Sequence, residues 1–234
     1  MYDSNSTSGG TGLGNPDSVW SIKKGWNEVV KQIGVIGYEC EDIIIYLAGI
    51  FTALGKKAAI VDRSEQELLC EILGIPAGEE RTVREREYCG IWISNQGGCI
   101  KEYDVVFYLF GYRWNHPKVH ECEMILMITD GVPAHASLLK RANIAECHCF
   151  LLIRNLVALK HTTEYLAELA ERKNAYIELL YDEKDIRQRC SLNEYGGFKI
   201  KRLSAGMKNV LLEIMCNFTS EYSKRTISEA IKKM

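Results

Sequence analysis

The 234-residue chain is long enough for one α/β domain with a sizeable core. Its 47% hydrophobic and 26% charged residues are ordinary for a globular protein, and its net charge of −2 argues against a general nucleic-acid-binding protein. We recognise no signal peptide and no apolar run long enough to cross a bilayer. The nine scattered cysteines lack CxxC spacing, which favours reduced thiols in the cytoplasm over a disulfide framework.

The chain divides into three parts. Residues 1–17 are rich in Gly, Ser, Asn and Thr, so we expect a disordered leader or an artificial extension. Residues 18–32 predict an amphipathic helix whose apolar stripe includes Trp26, and the helix also carries Trp20. This stripe either packs on the protein's own core or, together with nearby lysines, contacts a membrane surface or a partner. We expect a single α/β domain over 33–234.

Within that domain, apolar strand-like segments alternate with helix-like segments. The predicted strands are "IGVIG", "KAAIVD", "GIWISNQ" (an edge strand or hairpin arm), "YDVVFYLF", "EMILMITD", "CHCFLLIRN" and "AYIELLYD". The predicted helices are Asp42–Leu54, closed by Gly55, "SEQELLCEIL", Ala134–Ala142, Thr162–Lys173 and Ser204–Tyr222. This alternation predicts a doubly wound, mainly parallel sheet with helices on both faces.

Sheets of this kind bind ligands beyond the carboxyl ends of their strands. The turn after the first predicted strand is therefore the candidate cofactor site, and it contains Gly37, Tyr38, Glu39, Cys40, Glu41 and Asp42. Phosphate-binding turns use backbone N–H groups and a lysine that neutralises the phosphate oxygens. Here three acidic residues occupy the turn, and no lysine or arginine lies between Gln32 and Gly55.

The order and spacing of these segments resemble the ParA/MinD family of deviant Walker A ATPases, which position plasmids, division sites, flagella and pili. The resemblance is carried by "YLAGIFTALGKKAAIVDRSEQ", "EYDVVFYLF", "EMILMITDGVPAHASLLKRA", "CFLLIRN" and "LLYDEKD", and it spans about Ile33 to Tyr222. It implies the P-loop NTPase fold for most of the chain.

The residues that carry the family's chemistry are missing from this sequence. The resemblance places Cys40 at the Walker lysine, and Glu41 and Asp42 at the hydroxyl residues that hold Mg²⁺. Ser64 stands at the second aspartate of the DxD motif, and Leu109 at the Walker B aspartate. The chain thus resembles a degenerate member near the pilus- and secretion-associated TadZ/CpaE-like branch.

The electrostatics of the turn also argue against a bound nucleotide. Two like charges about 4 Å apart repel by roughly 4 kcal/mol at an effective dielectric near 20, so the acidic turn disfavours a triphosphate. Acidic residues in a helix's first turn instead stabilise the helix by about 0.3–1 kcal/mol each. We therefore expect no cofactor, no metal and no catalytic residue. The chain would be a non-catalytic scaffold or regulator for a pilus, secretion or other cell-surface machine.

Two alternative functions and the role of one residue remain open. The carboxylates could hold a divalent cation that bridges to phosphate, which would make the chain an ATP- and Mg-binding ATPase that switches between monomer and dimer. The acidic turn could be the metal site of an enzyme with another chemistry. Asp62, whose family counterpart lies near the γ-phosphate, is either a retained site residue or a cap for the following helix.

The expected partners are a second copy of the chain and protein components of a cell-surface assembly system, without specific nucleic acid. Arg113 and Trp114, in the segment "RWNHPKVHE", are candidate partner-binding residues, with a solvated loop as the alternative. We expect Cys147-His148-Cys149 to be core residues rather than metal ligands, because alternate residues of a strand point to opposite faces. The carboxylates of Asp182–Asp185 are expected in a loop.

Overall fold

The computed structural model describes residues 30–75, 84–98, 100–144, 149–155, 163–172, 175–195 and 199–234. Its strands are β1 (Lys31–Gly37), β2 (Ala58–Asp62), β3 (Glu85–Tyr88), β4 (Ile91–Ser94), β5 (Val105–Gly111), β6 (Met124–Asp130), β7 (Cys149–Asn155) and β8 (Tyr176–Leu180). Its α-helices are α1 (Glu41–Ala53), α2 (Leu68–Ile72), α3 (Pro133–Leu139), α4 (Thr163–Leu169), α5 (Glu183–Tyr195), α6 (Ala205–Phe218) and α7 (Lys224–Lys233).

The eight strands form one sheet in the order β3-β4-β2-β5-β1-β6-β7-β8. Every neighbouring pair is parallel except β3 and β4, which form an antiparallel hairpin. This architecture confirms the predicted doubly wound, mainly parallel α/β fold. Because β1 lies between β5 and β6, the turn after β1 sits near the middle of the carboxyl edge of the sheet.

Apolar side chains fill both faces of the sheet. Alternate residues of β1 enter different clusters: Ile33 and Val35 pack with α1, α6 and α7, whereas Ile36 packs with α3 and α4. Helix α1 is buried along nearly its whole length, because it is apolar on all sides. Gly55 ends it as predicted, at φ 85°, with its N–H donating to the Thr52 carbonyl at 2.9 Å.

For two of the predicted helices, the backbone conformation explains why the bounds in the structure are different. Within "SEQELLCEIL" only Leu68–Ile72 is helical, because Glu67 adopts a left-handed conformation at φ 48°. The predicted final helix ends at Phe218, where Thr219 is extended, and a further helix, α7, follows after a Ser223 cap.

The prediction of a loop at Asp182–Asp185 is wrong, because most of this segment is helical. Glu183 begins the helix α5, and Asp185 is buried, where it accepts hydrogen bonds from the Ser204 N–H and hydroxyl at 2.7 Å each. The segment "EKDIRQRCSLNEY" has few apolar residues, so it shows no helical stripe in sequence.

At the other edge of the sheet, "GIWISNQ" supplies β4, the inner arm of a hairpin, and the charged segment before it supplies the edge strand β3. At the amino end, β1 begins at Lys31, so residues 31–32 extend the strand rather than the predicted helix over 18–32. Trp20, Trp26 and the leader at 1–17 lie outside the described residues. Among the described helices, none is both long and apolar enough to cross a bilayer.

Candidate functional site

The turn between β1 and α1 contains only three residues, Tyr38, Glu39 and Cys40. Gly37 has φ 122°, and a Cβ added there would lie 1.8 Å from the Ile128 carbonyl oxygen, so only glycine fits. The Tyr38 N–H donates to that same oxygen at 2.9 Å. A G-x-x-x-x-G-K loop, by contrast, has enough residues to wrap its backbone N–H groups around phosphate. This turn is pressed against β6 instead.

Arg154, near the carboxyl end of β7, forms a two-pronged ion pair with Asp42 in the first turn of α1. Its Nη1 and Nη2 lie 2.9 and 3.0 Å from Asp42 Oδ1 and Oδ2, and Nη1 also donates to the Glu39 carbonyl at 2.7 Å. The Asp42 side chain is 2% exposed and that of Arg154 13%. Burial alone would lower the pKa of Arg154, but the Asp42 carboxylate outweighs it and the pKa is raised.

A second arginine reaches the turn from α5. Arg189 Nη1 bonds Glu39 Oε2, and its Nη2 lies 3.9 Å from Glu41 Oε2. Burial opposes the charge of Arg189, yet the hydrogen bond to Glu39 holds its pKa above the ordinary value. Sequence reasoning missed both arginines, because they stand 112 and 150 residues from their partners. The positive charge that is absent locally is therefore supplied from β7 and α5.

Cys40 in the turn and Glu41 at the start of α1 are both buried. Cys40, at the position of the Walker lysine, is 1% exposed, and burial raises the pKa of its thiol well above the ordinary value. The thiol therefore stays neutral, and a cysteine cannot replace the positive charge of the lysine. Glu41 is 9% exposed, and burial raises the pKa of its carboxyl.

Asp62 lies at the carboxyl end of β2, and its carboxylate is engaged within its own turn. Oδ1 accepts from the Ser64 N–H at 3.0 Å and from the Ser64 hydroxyl at 2.6 Å. Oδ2 accepts from the N–H groups of Leu69 at 2.8 Å and Cys70 at 3.3 Å. Of the two alternatives for Asp62, this geometry favours the helix cap.

The end of β5 lies beside that turn. Leu109, at the Walker B position, pairs in register with Asp62 and is buried. Arg113 donates from Nη1 to the Arg63 carbonyl at 3.1 Å. Half-buried Trp114 packs edge-on against Tyr112, with ring centroids 6.2 Å apart. Both candidate partner-binding residues thus lie near the carboxyl edge, with part of their surface used by the protein itself.

Two cavities flank the arginine-held turn. One of about 160 Å³ lies towards β7 and β8, and its lining includes Tyr38, Arg154 and Tyr181. The other, of about 390 Å³, lies towards β2 and β5, and we call it the turn cleft. The residues lining the turn cleft are Gly37, Tyr38, Glu39, Glu41, Ser64, Glu65, Gln66, Leu68, Leu109, Gly111, Tyr112 and Arg189.

The described part of the chain contains no group of three His, Cys, Asp or Glu side chains arranged to hold a metal ion. Cys147 and His148 lie outside the described residues, and Cys149 is buried in β7.

Comparison with known proteins adds information about the fold. No protein-family model matches the sequence, and no curated protein matches it. Among solved structures, a ParA family ATPase from Chlorobium tepidum TLS matches with a TM-score of 0.50 and 10% identity, over 88% of this chain and 98% of that chain. A chain of the MinC:MinD cell division protein complex from Aquifex aeolicus also matches, with a TM-score of 0.50 and 11% identity, over 87% of this chain and 95% of that chain.

At these identities the comparison shows the fold of the backbone. The mainly parallel sheet and the coverage agree with the expectation drawn from the sequence segments. The chain therefore has the fold of the ParA/MinD ATPases, with an acidic, arginine-held turn at the place where a P-loop is expected.

Proposed function

We propose that this chain is a non-catalytic ParA/MinD-like scaffold or regulator that binds protein partners. The observation that carries the proposal is the pair of ion contacts from Arg154 to Asp42 and from Arg189 to Glu39. These contacts place carboxylates of the protein at the amino end of α1, where a nucleotide's phosphates would otherwise lie.

The rest of the turn supports this proposal. A three-residue connection leaves little backbone with which to cradle a triphosphate. Cys40 is neutral where the lysine would stand, and Ser64 and Leu109 replace carboxylates of the family pattern. Phosphoryl transfer depends on a bound Mg²⁺ and on groups that neutralise the transferred phosphoryl, and these residues provide neither.

The resemblance and one structural neighbour support the proposed partners. The resemblance to the pilus- and secretion-associated TadZ/CpaE-like branch suggests a role in positioning or assembling a cell-surface machine. One structural neighbour is a complex between a MinD-type protein and another protein, which agrees with a fold that works through protein partners. We propose a homodimer that forms without nucleotide and binds components of such a machine in the cytoplasm.

The alternative function is an ATP-binding switch, and one observation favours it. Arg154 and Arg189 bring two guanidinium groups to the amino end of α1, and guanidinium groups bind phosphate well. If Glu39 and Asp42 moved aside, these arginines would face an anion. The two functions therefore differ in whether the carboxylates or a nucleotide neutralise the arginines.

Turnover and oligomeric state together test the proposal. Phosphate release by malachite green is measured for the full chain with ATP and Mg²⁺, and mass by light scattering with and without them. We expect no turnover above background and one unchanged mass, that of a dimer. Glu39→Gln, with the exposed Glu183→Gln as its matched control, is expected to remain inactive. ATP hydrolysis by the unaltered chain, or a nucleotide-dependent change of mass, would support the alternative.

A further inference from the structure

Positive charge is concentrated near the end of the sequence. Residues 199–234 contain eight lysines and arginines but only three glutamates, although the whole chain has a formal net charge of −2. Acidic residues therefore outnumber basic ones in the rest of the chain. A surface charged so differently from the remainder of its protein attracts a partner of opposite charge.

Four of these cations lie together where the chain enters α6. We call them the basic corner, and they are Lys199, Lys201, Arg202 and Lys208. The first three are exposed, on or beside a single 3-10 turn, and Lys208 Nζ donates to the Lys201 carbonyl at 2.9 Å. Helix α7, whose last turn contains the exposed Lys232 and Lys233, packs on the same 3-10 turn.

The fold itself does not balance the charge of the basic corner. In the described part of the chain, none of its four residues forms an ion pair with a carboxylate. The carboxylate of Asp185 is buried and accepts hydrogen bonds from the N–H and hydroxyl of Ser204, the residue that caps α6. The first turn of α6 has no acidic residue, and the positive end of a helix dipole repels cations. The basic corner therefore does not stabilise this end of α6, and an anionic partner would relieve the repulsion.

The surroundings of the basic corner favour a short acidic segment of a protein over a larger polyanion. A helix that binds a membrane needs an exposed apolar face, but Ile227, Ala230 and Ile231 of α7 are buried. No large apolar side chain described within 199–234 is among the exposed ones. A nucleic-acid duplex would extend past the corner onto the rest of the protein, where acidic residues are in excess. A short segment with several Asp or Glu residues can lie on the corner alone.

We propose that the basic corner binds a short segment of a protein partner that is rich in Asp and Glu, and that the carboxylates of this segment pair with Lys199, Lys201 and Arg202. This inference goes beyond the proposed function. It uses no residue of the arginine-held turn, so it does not depend on whether a nucleotide binds there.

Peptide titration followed by NMR tests the basic corner. The probe is Ac-Glu-Asp-Glu-Glu-Asp-Glu-NH2, added to the ¹⁵N-labelled full chain in about 150 mM salt, where exposed charges further apart than about 8 Å are largely screened. The matched uncharged peptide is Ac-Gln-Asn-Gln-Gln-Asn-Gln-NH2. We expect saturable shifts of the Lys201, Gly206 and Lys208 amides with the acidic peptide alone.

Two double variants separate the basic corner from a general effect of charge. Lys201→Gln with Arg202→Gln should weaken binding of the acidic peptide about fivefold or more, because two exposed ion pairs are lost. Lys224→Gln with Arg225→Gln removes the same charge from the first turn of α7 and should bind the peptide as the unaltered chain does. If the first double variant does not fold, Lys199→Gln alone should still weaken binding of the acidic peptide, and its failure to do so overturns the proposal.

Other results would also overturn the assignment. These are no saturable shifts with the acidic peptide, equal binding of the uncharged peptide, or equal weakening by both double variants. Tighter binding to phosphatidylserine-containing vesicles or to a labelled DNA duplex than to the peptide, lost in Lys201→Gln with Arg202→Gln, would assign the corner to a lipid surface or to nucleic acid. A dimer that the same variant dissociates, seen by light scattering, would assign it to a second copy.

Discussion

Arg154 and Asp42 meet through two hydrogen bonds of 2.9 and 3.0 Å, although 112 residues separate them in the chain. The pair joins the end of β7 to the first turn of α1 and is nearly closed to solvent. It ties the start of α1 to β7 and neutralises Asp42, one of the three carboxylates that made the turn unusual in the sequence.

Replacing Arg154 should destabilise the fold strongly. Arg154→Met leaves the Asp42 carboxylate buried and unpaired, which typically costs about 3–5 kcal/mol. The double variant Arg154→Met with Asp42→Asn should recover part of that loss, because the uncompensated charge is gone. Urea unfolding measures the free energy of unfolding of the unaltered chain, the single variant and the double variant. Arg225→Met, whose pair with Glu229 is exposed, is the control and should change stability by less than about 1 kcal/mol.

Replacing Arg189 should loosen the turn more than it destabilises the protein. Arg189→Ala removes the ion pair between Arg189 and Glu39. Because both side chains are partly exposed, we expect the free energy of unfolding to fall by about 1 kcal/mol. Amide hydrogen exchange at Tyr38–Cys40 should become faster. Arg187→Ala, two residues earlier on α5, removes a pair that lies wholly on that helix and should leave this exchange unchanged. Equal exchange in both variants would show that Arg189 does not hold the turn.

Gly37 should tolerate no side chain. Gly37→Ala places a Cβ 1.8 Å from the Ile128 carbonyl oxygen at φ 122°, so strain and overpacking together should cost about 3 kcal/mol or more. Gly98→Ala, with no atom near its added Cβ and an ordinary backbone conformation, is the matched control. Thermal unfolding of the two variants compares them directly, and equal melting temperatures would contradict the geometry of the turn.

Stability should depend on pH through Glu41. Burial raises the pKa of this carboxyl above its ordinary value of 4.5, so the folded protein holds the proton more tightly than the unfolded chain does. The stabilisation is therefore complete below that value and is lost as the pH rises through the raised pKa. Relative to Glu41→Gln, the unaltered protein should lose stability with rising pH. Urea unfolding from about pH 4 to 7.5 measures this difference, and a difference that stays constant over that range would contradict it.

The sequence was informative about the fold for a physical reason. Apolar strand segments alternating with helices leave few arrangements other than a parallel sheet covered on both faces, and Gly37 and Gly55 mark turns that need positive φ. The acidic turn could be located because it follows directly from the strand at Ile33. Each of these signals is local in the chain.

The arginine contacts could not be predicted from local signals in the sequence. Arg154 ends a predicted strand, and a sheet order with β7 two places from β1 would have brought it near the turn, but that order is a property of the whole fold. Arg189 lies on α5, whose polar sequence shows no apolar stripe and was expected to begin as a loop. Long-range ion pairs leave no periodic signal in one sequence, so the partners of Asp42 and Glu39 were missed although the structure pairs both carboxylates with arginines.

The central claim is that the protein's own carboxylates occupy the place of nucleotide phosphate. Titration of the purified full chain with a fluorescent ATP analogue, with and without Mg²⁺, tests it most directly. The account predicts no saturable binding under either condition. Micromolar binding that requires Mg²⁺ would contradict it.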